Sequence, residues 1–373
     1  MRDLLVTSHT PVLGSGRALR TYGVARAIAV NRPVDILYSR FGADEPDAAF
    51  RSIPGIEFYP VTGSRGPRRL VGYATARVRG VPEGFARGIS PELGARAAEL
   101  ARDAERGRVI ADGPTIAAAL AQLSRERAVV YNAHNIEWRF RAELEGIGAR
   151  RGRALRAFER GVLERASESW MVSGADIAAA QELCPGARLR YAPNVVDVDA
   201  IRPLCELAPE PRAIFVASYA YAPNRNALRF LVERVMPRVW SELPDARLAL
   251  VGSGLTRPAS SDPRVETLGF IENVADAYAQ ARCALVPLLQ GGGTPLKLLE
   301  ALAYGVPVVA SALAVSGLEV SSGEDCLVAD GEQHFADAMV SVLRAPAREL
   351  GRRGRQLVAD RYSIAALSEL LAP

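Results

Sequence analysis

Lysine occurs once in this 373-residue chain, at position 297, although the chain carries 46 basic residues. It stands in QGGGTPLKLLEALAYG, where Gly291, Gly292 and Gly293 follow an apolar run and the spacing predicts a helix opening at Thr294. Glycines leave backbone amides uncovered. Thr294 adds a hydroxyl as the expected N-cap, and amides at a helix start suit a diphosphate. Lys297 and Glu300 fall three apart on one face, with Leu298 and Leu302 turned toward a sheet. Lysine is a compact cation that can follow a phosphate, whereas arginine's planar fork fills a pocket differently. Glu300 can accept two hydrogen bonds, as vicinal ribose hydroxyls require. The blander reading is a surface Lys–Glu pair. The Gly-Lys-Ser/Thr ending of a Walker motif is missing.

Two other stretches carry candidate chemistry. In VLGSGRALRTYGVARAIA, Gly14, Ser15 and Gly16 lie between a first strand and a first helix, where backbone amides can approach an anion. Leu19 occupies the third-glycine place of a dinucleotide fingerprint, so a plain tight turn is the competing reading. In YNAHNIEW, His134, Asn135 and Glu137 come just past a strand, at the edge where ligands gather in parallel sheets. Asp197 and Asp199 form a two-carboxylate string with no accompanying ligands, so no metal site is expected. The run Arg139–Arg165 alternates with glutamates and apolar residues, as a solvated helix face does; nucleic acid is not an expected partner.

The elements that position these residues alternate. DLLVTSH and PVDILYS read as buried strands around a helix at Arg17–Ala29, and IEFYPV as a third strand. Residues 63–107 are less regular. RVIADG, AVVYNAHN, SESWMVS and LRYAPN follow as strands, with helices near 115–125, 138–166 and 174–183, the last opening at the capping-box-like SGAD. After a Pro- and acid-rich stretch the alternation restarts. AIFVAS is a strand, and PNRNALRFLVERVMPRVWSEL a helix with Asn224 as expected N-cap. Then come ARLALVG, VETLGF, the helix NVADAYAQA, CALVPL, the Lys297 helix and VPVVAS. Two βα arrays imply two doubly wound α/β domains facing a central cleft. Expected boundaries are 1–197, joined by a returning helix at 356–373, then a linker at 198–212 and a second domain at 213–355. Length and composition agree with two globular domains: 49% hydrophobic and 24% charged residues. No apolar run reaches about 18 residues, so no span is expected. The start reads as a strand instead of a secretory signal. Four scattered cysteines suggest a reduced, cytoplasmic setting. A net charge of +4 allows an anionic small molecule or an acidic membrane surface.

The stretches FVASYAYAPNRNALRFLVERVMPRVWSELPDARLALVGSG and LGFIENVADAYAQARCALVPLLQGGGTPLKLLEALAYGVPVVAS resemble the C-terminal half of the family 4 glycosyltransferases, retaining enzymes of the GT-B fold, in a glycine-rich subset. PVLGSGRALRTYGVARAIA, HNIE, VSGAD and PNVVD resemble its N-terminal landmarks in order. The resemblance implies metal-independent sugar transfer from a nucleoside-diphosphate sugar, with no further cofactor. Gly14, Ser15 and Gly16 would approach the diphosphate, and Gly292, Gly293, Thr294 and Lys297 would hold it. Glu300 would bind the ribose, and Gly269, Phe270 and Ile271 would meet the base. His134 would face the sugar, and Asn224 and Arg225 would lie near the cleft floor. Lys297 and His134 are the expected catalytic residues.

Two positions depart from the family pattern. Gly292 stands where many members carry the first glutamate of Glu-x7-Glu, and Val195 replaces the glycine of PNGVD. The acceptor is expected to be a glycan, a lipid-linked saccharide or a small molecule. The basic, aromatic-spotted segment 63–87 suggests peripheral contact with the inner face of a membrane. Two alternatives stay open: a non-catalytic nucleotide-sugar-binding partner subunit, and a sugar-nucleotide epimerase of the same fold.

Overall fold

A computed structural model describes residues 1–40, 43–63, 67–103, 105–145, 148–204, 206–291 and 294–372. The chain divides into two compact units, Met1–Asn194 with Leu367–Pro373, and Val195–Ala366. In the first unit, β1 (Arg2–Thr7), β2 (Val34–Arg40), β3 (Glu57–Thr62), β4 (Arg106–Asp112), β5 (Val129–Asn132), β6 (Glu168–Met171) and β7 (Leu189–Tyr191) form a seven-stranded sheet ordered β3-β2-β1-β4-β5-β6-β7. Every pairing is parallel. Leu4, Leu5 and Val6 are all fully buried although successive side chains point to opposite faces, so helices cover both sides. The charged ends of these strands are neutralised in pairs. Asp35 on β2 accepts from Arg2 at 2.6 Å and from Arg106, and Asp3 on β1 accepts from Arg108.

The second unit repeats the plan with β8 (Arg212–Val216), β9 (Arg247–Val251), β10 (Val265–Gly269), β11 (Cys283–Val286), β12 (Val308–Ala310) and β13 (Leu327–Val328), ordered β10-β9-β8-β11-β12-β13. In both sheets the order reverses beside the first strand, at β1/β4 and at β8/β11. That reversal opens a crevice at the carboxyl ends of the strands, the place where doubly wound sheets bind ligands.

One glycine fixes the loops of the second crevice. Gly252, just past β9, has φ +128°, and a Cβ there would lie 1.9 Å from the Ala217 carbonyl oxygen. Only glycine lets the post-β9 turn close onto the post-β8 turn. Val195 needs no such freedom, because among the described residues no non-glycine has positive φ.

Several boundaries differ from the sequence reading, each for a local reason. The helix expected at 138–166 is two, Glu137–Glu145 and Ala149–Arg165, with the extended Gly148 capping the second. The helix near 115–125 shortens to Pro114–Ala119 followed by a 3-10 turn. Residues 63–107 hold helices Pro67–Val78, Glu83–Ala86 and Pro91–Ala101, cut short by the Gly and Pro punctuation that obscured their period. Residues 198–212 belong to the second unit: Leu204 N donates to Tyr304 O at 2.9 Å, and Arg212 opens β8. The C-terminal stretch is two helices, Arg348–Arg361 and Ile364–Leu370. The first packs so closely that a Cβ on Gly351 would lie 2.1 Å from Gly305 O, within the second unit. Only from Leu367 does the chain join the first unit, where Asn31 donates to Ser368 Oγ at 2.8 Å.

Candidate active site

In the second unit, the loops after β8 and β11 bring two expected residues together. Lys297 Nζ donates to Asn224 Oδ1 at 2.6 Å and lies 5.0 Å from the centre of the Phe215 ring. Asn224 is not the N-cap. Its helix, Ala222–Phe230, begins earlier, because Pro223 supplies a pre-set φ in the first turn. Asn224 is instead buried, its amide donating to Ser218 O at 2.8 Å, which turns its oxygen toward Lys297. Arg225 turns back, donating through Nη1 to the carbonyls of Tyr219 (3.1 Å) and Ala220.

The Lys297 helix spans Leu296–Ala303 and is preceded by the extended Pro295, so Thr294 is not its cap either. Thr294 is buried. Gly291 has φ +126°, while Gly292 and Gly293 lie outside the described residues. Leu298 and Leu302 face the sheet and are fully buried, as the spacing predicted. Burial lowers the Lys297 ammonium to about 8. Burial also raises the Glu300 carboxyl to about 7, opposed by a hydrogen bond from Tyr278. The two charges therefore take separate neutral partners, and the surface Lys–Glu pair is not formed among the described residues. An ammonium without a carboxylate partner in a partly buried place carries an uncompensated desolvation cost.

At the end of β10, Gly269 O accepts from Gly252 N at 2.7 Å, tying the turn of Gly252 to the segment expected to meet a base. Phe270 is 76% exposed, an apolar ring open to stacking, while Ile271 packs against the core.

In the first unit, Gly14 and Ser15 precede the helix Gly16–Asn31, and Ser15 is its N-cap, accepting from Ala18 N at 3.2 Å. His134 follows β5, with Nε2 2.8 Å from Asp112 Oδ1. The chain beyond it is pinned by buried acids. Ile136 N donates to Asp176 Oδ1 at 3.3 Å, and Glu137 N and Trp138 N donate to Glu159 at 2.8 and 3.0 Å. Burial raises Glu159 to about 8 despite those two donors. Ser173 caps the helix Gly174–Leu183 as the SGAD motif predicted, and so holds Asp176 in place.

Sequence reasoning missed Asp112, Thr21, Arg20 and Asn132, which join the Gly14–Gly16 helix to His134. Thr21 Oγ1 donates to Asp112 Oδ2 at 2.7 Å, Asn132 Nδ2 to Asp112 Oδ1 at 2.8 Å, and Arg20 Nη2 to Asn132 Oδ1 at 2.7 Å. The available signal was an acid ending a central strand in RVIADG. Tyr278 and Phe215, the neighbours of Glu300 and Lys297, carried no local signal.

Comparison with known proteins adds three findings. Residues 210–345 match the family described as glycosyl transferases group 1. The chain is 30% identical over 194 residues to the D-inositol 3-phosphate glycosyltransferase of Rhodococcus opacus (strain B4), a match covering 47% of this chain and 42% of the relative, so it spans less than half of that protein. Among solved structures it is similar to sucrose-phosphate synthase (tll1590) from Thermosynechococcus elongatus, at TM-score 0.74 and 19% identity over 99% of this chain and 96% of the other. It is also similar to Anabaena Alr3699/HepE, solved with UDP and glucose, at TM-score 0.67 and 15% identity over 98% and 97%. The chain thus has the GT-B fold, two parallel-sheet Rossmann-like domains, and its residues 210–345 match the group 1 glycosyltransferases.

Proposed function

We propose that the chain transfers a sugar from a nucleoside-diphosphate sugar to a hydroxyl acceptor, with retention and without a metal ion, as a family 4 member of the glycine-rich subset. The observation that carries this reading is Lys297, a partly buried cation with an amide and an aromatic ring for neighbours and no carboxylate among the described residues. A diphosphate supplies the missing counter-charge. As the bond between the anomeric carbon and the diphosphate oxygen breaks, Lys297 and the amides around Gly291–Thr294 stabilise the charge that develops on the leaving group. The acceptor oxygen bonds to the anomeric carbon from the same face, and its proton passes to a leaving phosphate oxygen. Within the second unit, Glu300 holds ribose hydroxyls, and Gly269, Phe270 and Ile271 meet the base.

The acceptor reading rests on the helix Pro67–Val78. Its Gly72 and Ala76 face inward, and a Cβ on Gly72 would lie 2.9 Å from the Pro91 ring. Leu70, Val71 and Val78 are 68%, 65% and 89% exposed, so the solvent-facing side carries large apolar side chains beside Arg69 and Arg77. Between Glu57 and Glu83 the chain has five arginines and no acid. That combination suits an anionic lipid surface and an acceptor presented there. No helix of the described residues is long and apolar enough to cross a membrane.

The test is calorimetric titration with UDP, GDP and dTDP in EDTA, then incubation of the matching sugar nucleotides with lipid-linked and soluble acceptors. Micromolar binding without metal, and a product keeping the donor's anomeric configuration by proton NMR, is the expected result. Binding without turnover would favour the partner-subunit reading that Gly292 motivates. An epimerised donor without acceptor would favour the epimerase. No binding would remove the role given to Lys297.

A further inference from the structure

The amino edge of the first sheet, where β1, β4, β5 and β6 begin, holds a cavity of about 440 Å³ on the side away from the crevice of that sheet. Its wall carries four arginines, Arg32, Arg106, Arg108 and Arg127, and among the described residues no carboxylate. They come from separate elements. Arg32 is the C-cap of the helix Gly16–Asn31, Arg106 opens β4 with Arg108 two residues on, and Arg127 precedes β5. Gly107 lets them gather. A Cβ there would lie 2.3 Å from Asp3 Oδ1, so glycine allows Asp3 to close onto the start of β4 and accept from Arg108 N at 2.8 Å.

The charges around this cavity do not balance. Asp3 accepts from Arg108 Nε at 2.8 Å, and Asp35 accepts from Arg2 at 2.6 Å and from Arg106. The exposed Glu57 lies 3.6 Å from Arg2. Arg2, Arg106 and Arg108 are thus compensated, and Arg32 and Arg127 are not. Arg127 turns to carbonyls, donating through Nη2 to Arg106 O at 2.7 Å and through Nη1 to Ala101 O, while its Nε has no partner among the described residues. Arg32 is half-buried, and its guanidinium makes no hydrogen bond or ion pair among the described residues. Arg106 lies deepest, with its side chain 5% exposed. Its Nε and Nη1 are engaged by Leu100 O and Asp35, and its Nη2 has no partner and is not sealed in the interior. Carbonyls offer only partial charge, so two partly buried cations without a counter-ion carry an uncompensated desolvation cost.

We propose that this cavity is an anion site that takes a phosphate group, free or as a phosphate monoester. Three sets of donors are unmade on its wall: Arg106 Nη2, Arg127 Nε and the whole fork of Arg32. A phosphate monoester brings about two negative charges and three acceptor oxygens, matching two uncompensated cations and three donor sets. A carboxylate brings one charge and two oxygens, and leaves one cation unanswered. The cavity has the size of a small-molecule site, so the organic part of an ester also has room. Every residue of the site belongs to the first unit, whereas Lys297 belongs to the second, and the inference stands whether or not the chain transfers sugar.

The experiment titrates the full chain calorimetrically with inorganic phosphate, glycerol 3-phosphate and acetate at constant ionic strength, so that screening is the same for each. The proteins are the wild type, Arg32→Gln and Lys297→Ala, the last to separate any phosphate held by the lysine of the second unit. Arg32 has no side-chain partner to lose, so Arg32→Gln should melt with the wild type. If it melts early, Arg32→Lys keeps the charge, loses the fork and should show a smaller loss of affinity in the same direction. The expected result is saturable phosphate binding in the wild type, retained in Lys297→Ala and weakened about 10- to 100-fold in Arg32→Gln. Tighter binding of the free ion assigns the site to inorganic phosphate, and tighter binding of glycerol 3-phosphate assigns it to an ester. No saturation below about 10 mM would overturn the proposal, as would equal affinity for acetate. So would an affinity unmoved by Arg32→Gln, or one abolished by Lys297→Ala. Failure of UDP to bind would sink the nucleotide reading of the second unit and leave this site intact.

Discussion

Nucleotide affinity should follow a bell-shaped pH profile set by two groups one turn apart on a single helix. Glu300 is raised to about 7 and must be ionised to accept ribose hydroxyls, so affinity is gained as pH rises through that value. Lys297 is lowered to about 8 and must be protonated to meet the diphosphate, so affinity is lost as pH rises further. Apparent affinity scales with the fraction of protein in the competent state. At pH 7.5 about 0.76 of each group is in the required form, giving roughly 0.6 competent, against about 0.09 at pH 6 or 9. The expected fall is therefore about sixfold on each side of a maximum near pH 7.5. The assay is calorimetric titration of the tightest nucleoside diphosphate between pH 5.5 and 9.5, for the wild type and Glu300→Gln. The terminal phosphate of the ligand also titrates, but identically for both proteins, so their ratio isolates Glu300. That ratio should rise between pH 6 and 8 and then level. A flat ratio would refute the placement of Glu300 on the ribose, and a wild-type alkaline limb absent below pH 9.5 would refute the lowered Lys297.

Three further outcomes are expected. Gly252→Ala forces a Cβ to within 1.9 Å of the Ala217 carbonyl in a left-handed turn, and should cost several kcal/mol, seen as a fall of about 10 °C or more in the melting of the second unit. Glu159 is raised to about 8 by burial, so its contribution to stability is present below its unfolded value of about 4.5 and is lost as pH rises through 8. The melting temperature of the wild type relative to Glu159→Gln should decline across that window. For the exposed helix face, sedimentation with vesicles of one-third phosphatidylglycerol should pull down the wild type and lose most of the double variant Leu70→Glu/Val71→Glu, while neutral vesicles retain neither.

The strands were legible because a parallel sheet covered on both faces needs unbroken apolar runs, and DLLVT, AIFV and ALV announce them. Gly14 and Gly291 were legible as turn positions, because positive φ is a demand that few residues other than glycine meet. What the sequence hid were contacts made by sheet order. Asp112 and His134 are 22 positions apart and meet because β4 and β5 are neighbours; Asn224 and Lys297 are 73 apart and meet because β8 and β11 are. Helical spacing put Lys297 and Glu300 on one face, but could not say that Asn224 and Tyr278 would claim them separately. The cap assignments failed at Asn224 and Thr294 for a related reason. A proline at 223 and another at 295 decided where each helix begins, and freed both polar side chains from capping. The helix Pro67–Val78 weakens the periodic signal, since Leu70, Val71 and Val78 are exposed while the residues turned inward include Gly72, Tyr73 and Ala76.

The single lysine has a physical reason that can be tested against its commonest replacement. Nζ lies 2.6 Å from Asn224 Oδ1 and 5.0 Å from the Phe215 ring, so the cation sits in a polar-aromatic notch. Arg225, the nearest guanidinium in sequence to Asn224, is spent on the carbonyls of Tyr219 and Ala220 and does not share its role. Arginine at 297 would keep the charge, but its planar fork is wider than an ammonium and prefers bidentate partners, whereas Asn224 offers one oxygen. The fork must then leave the notch and displace the charge from the helix start. If Lys297 neutralises the leaving diphosphate, both Lys297→Ala and Lys297→Arg should lower turnover by about 10²-fold, the cost of removing one preorganised donor. If its charge serves only to attract the nucleotide, Lys297→Arg should keep nearly full kcat with an altered KM, and the catalytic role would fall.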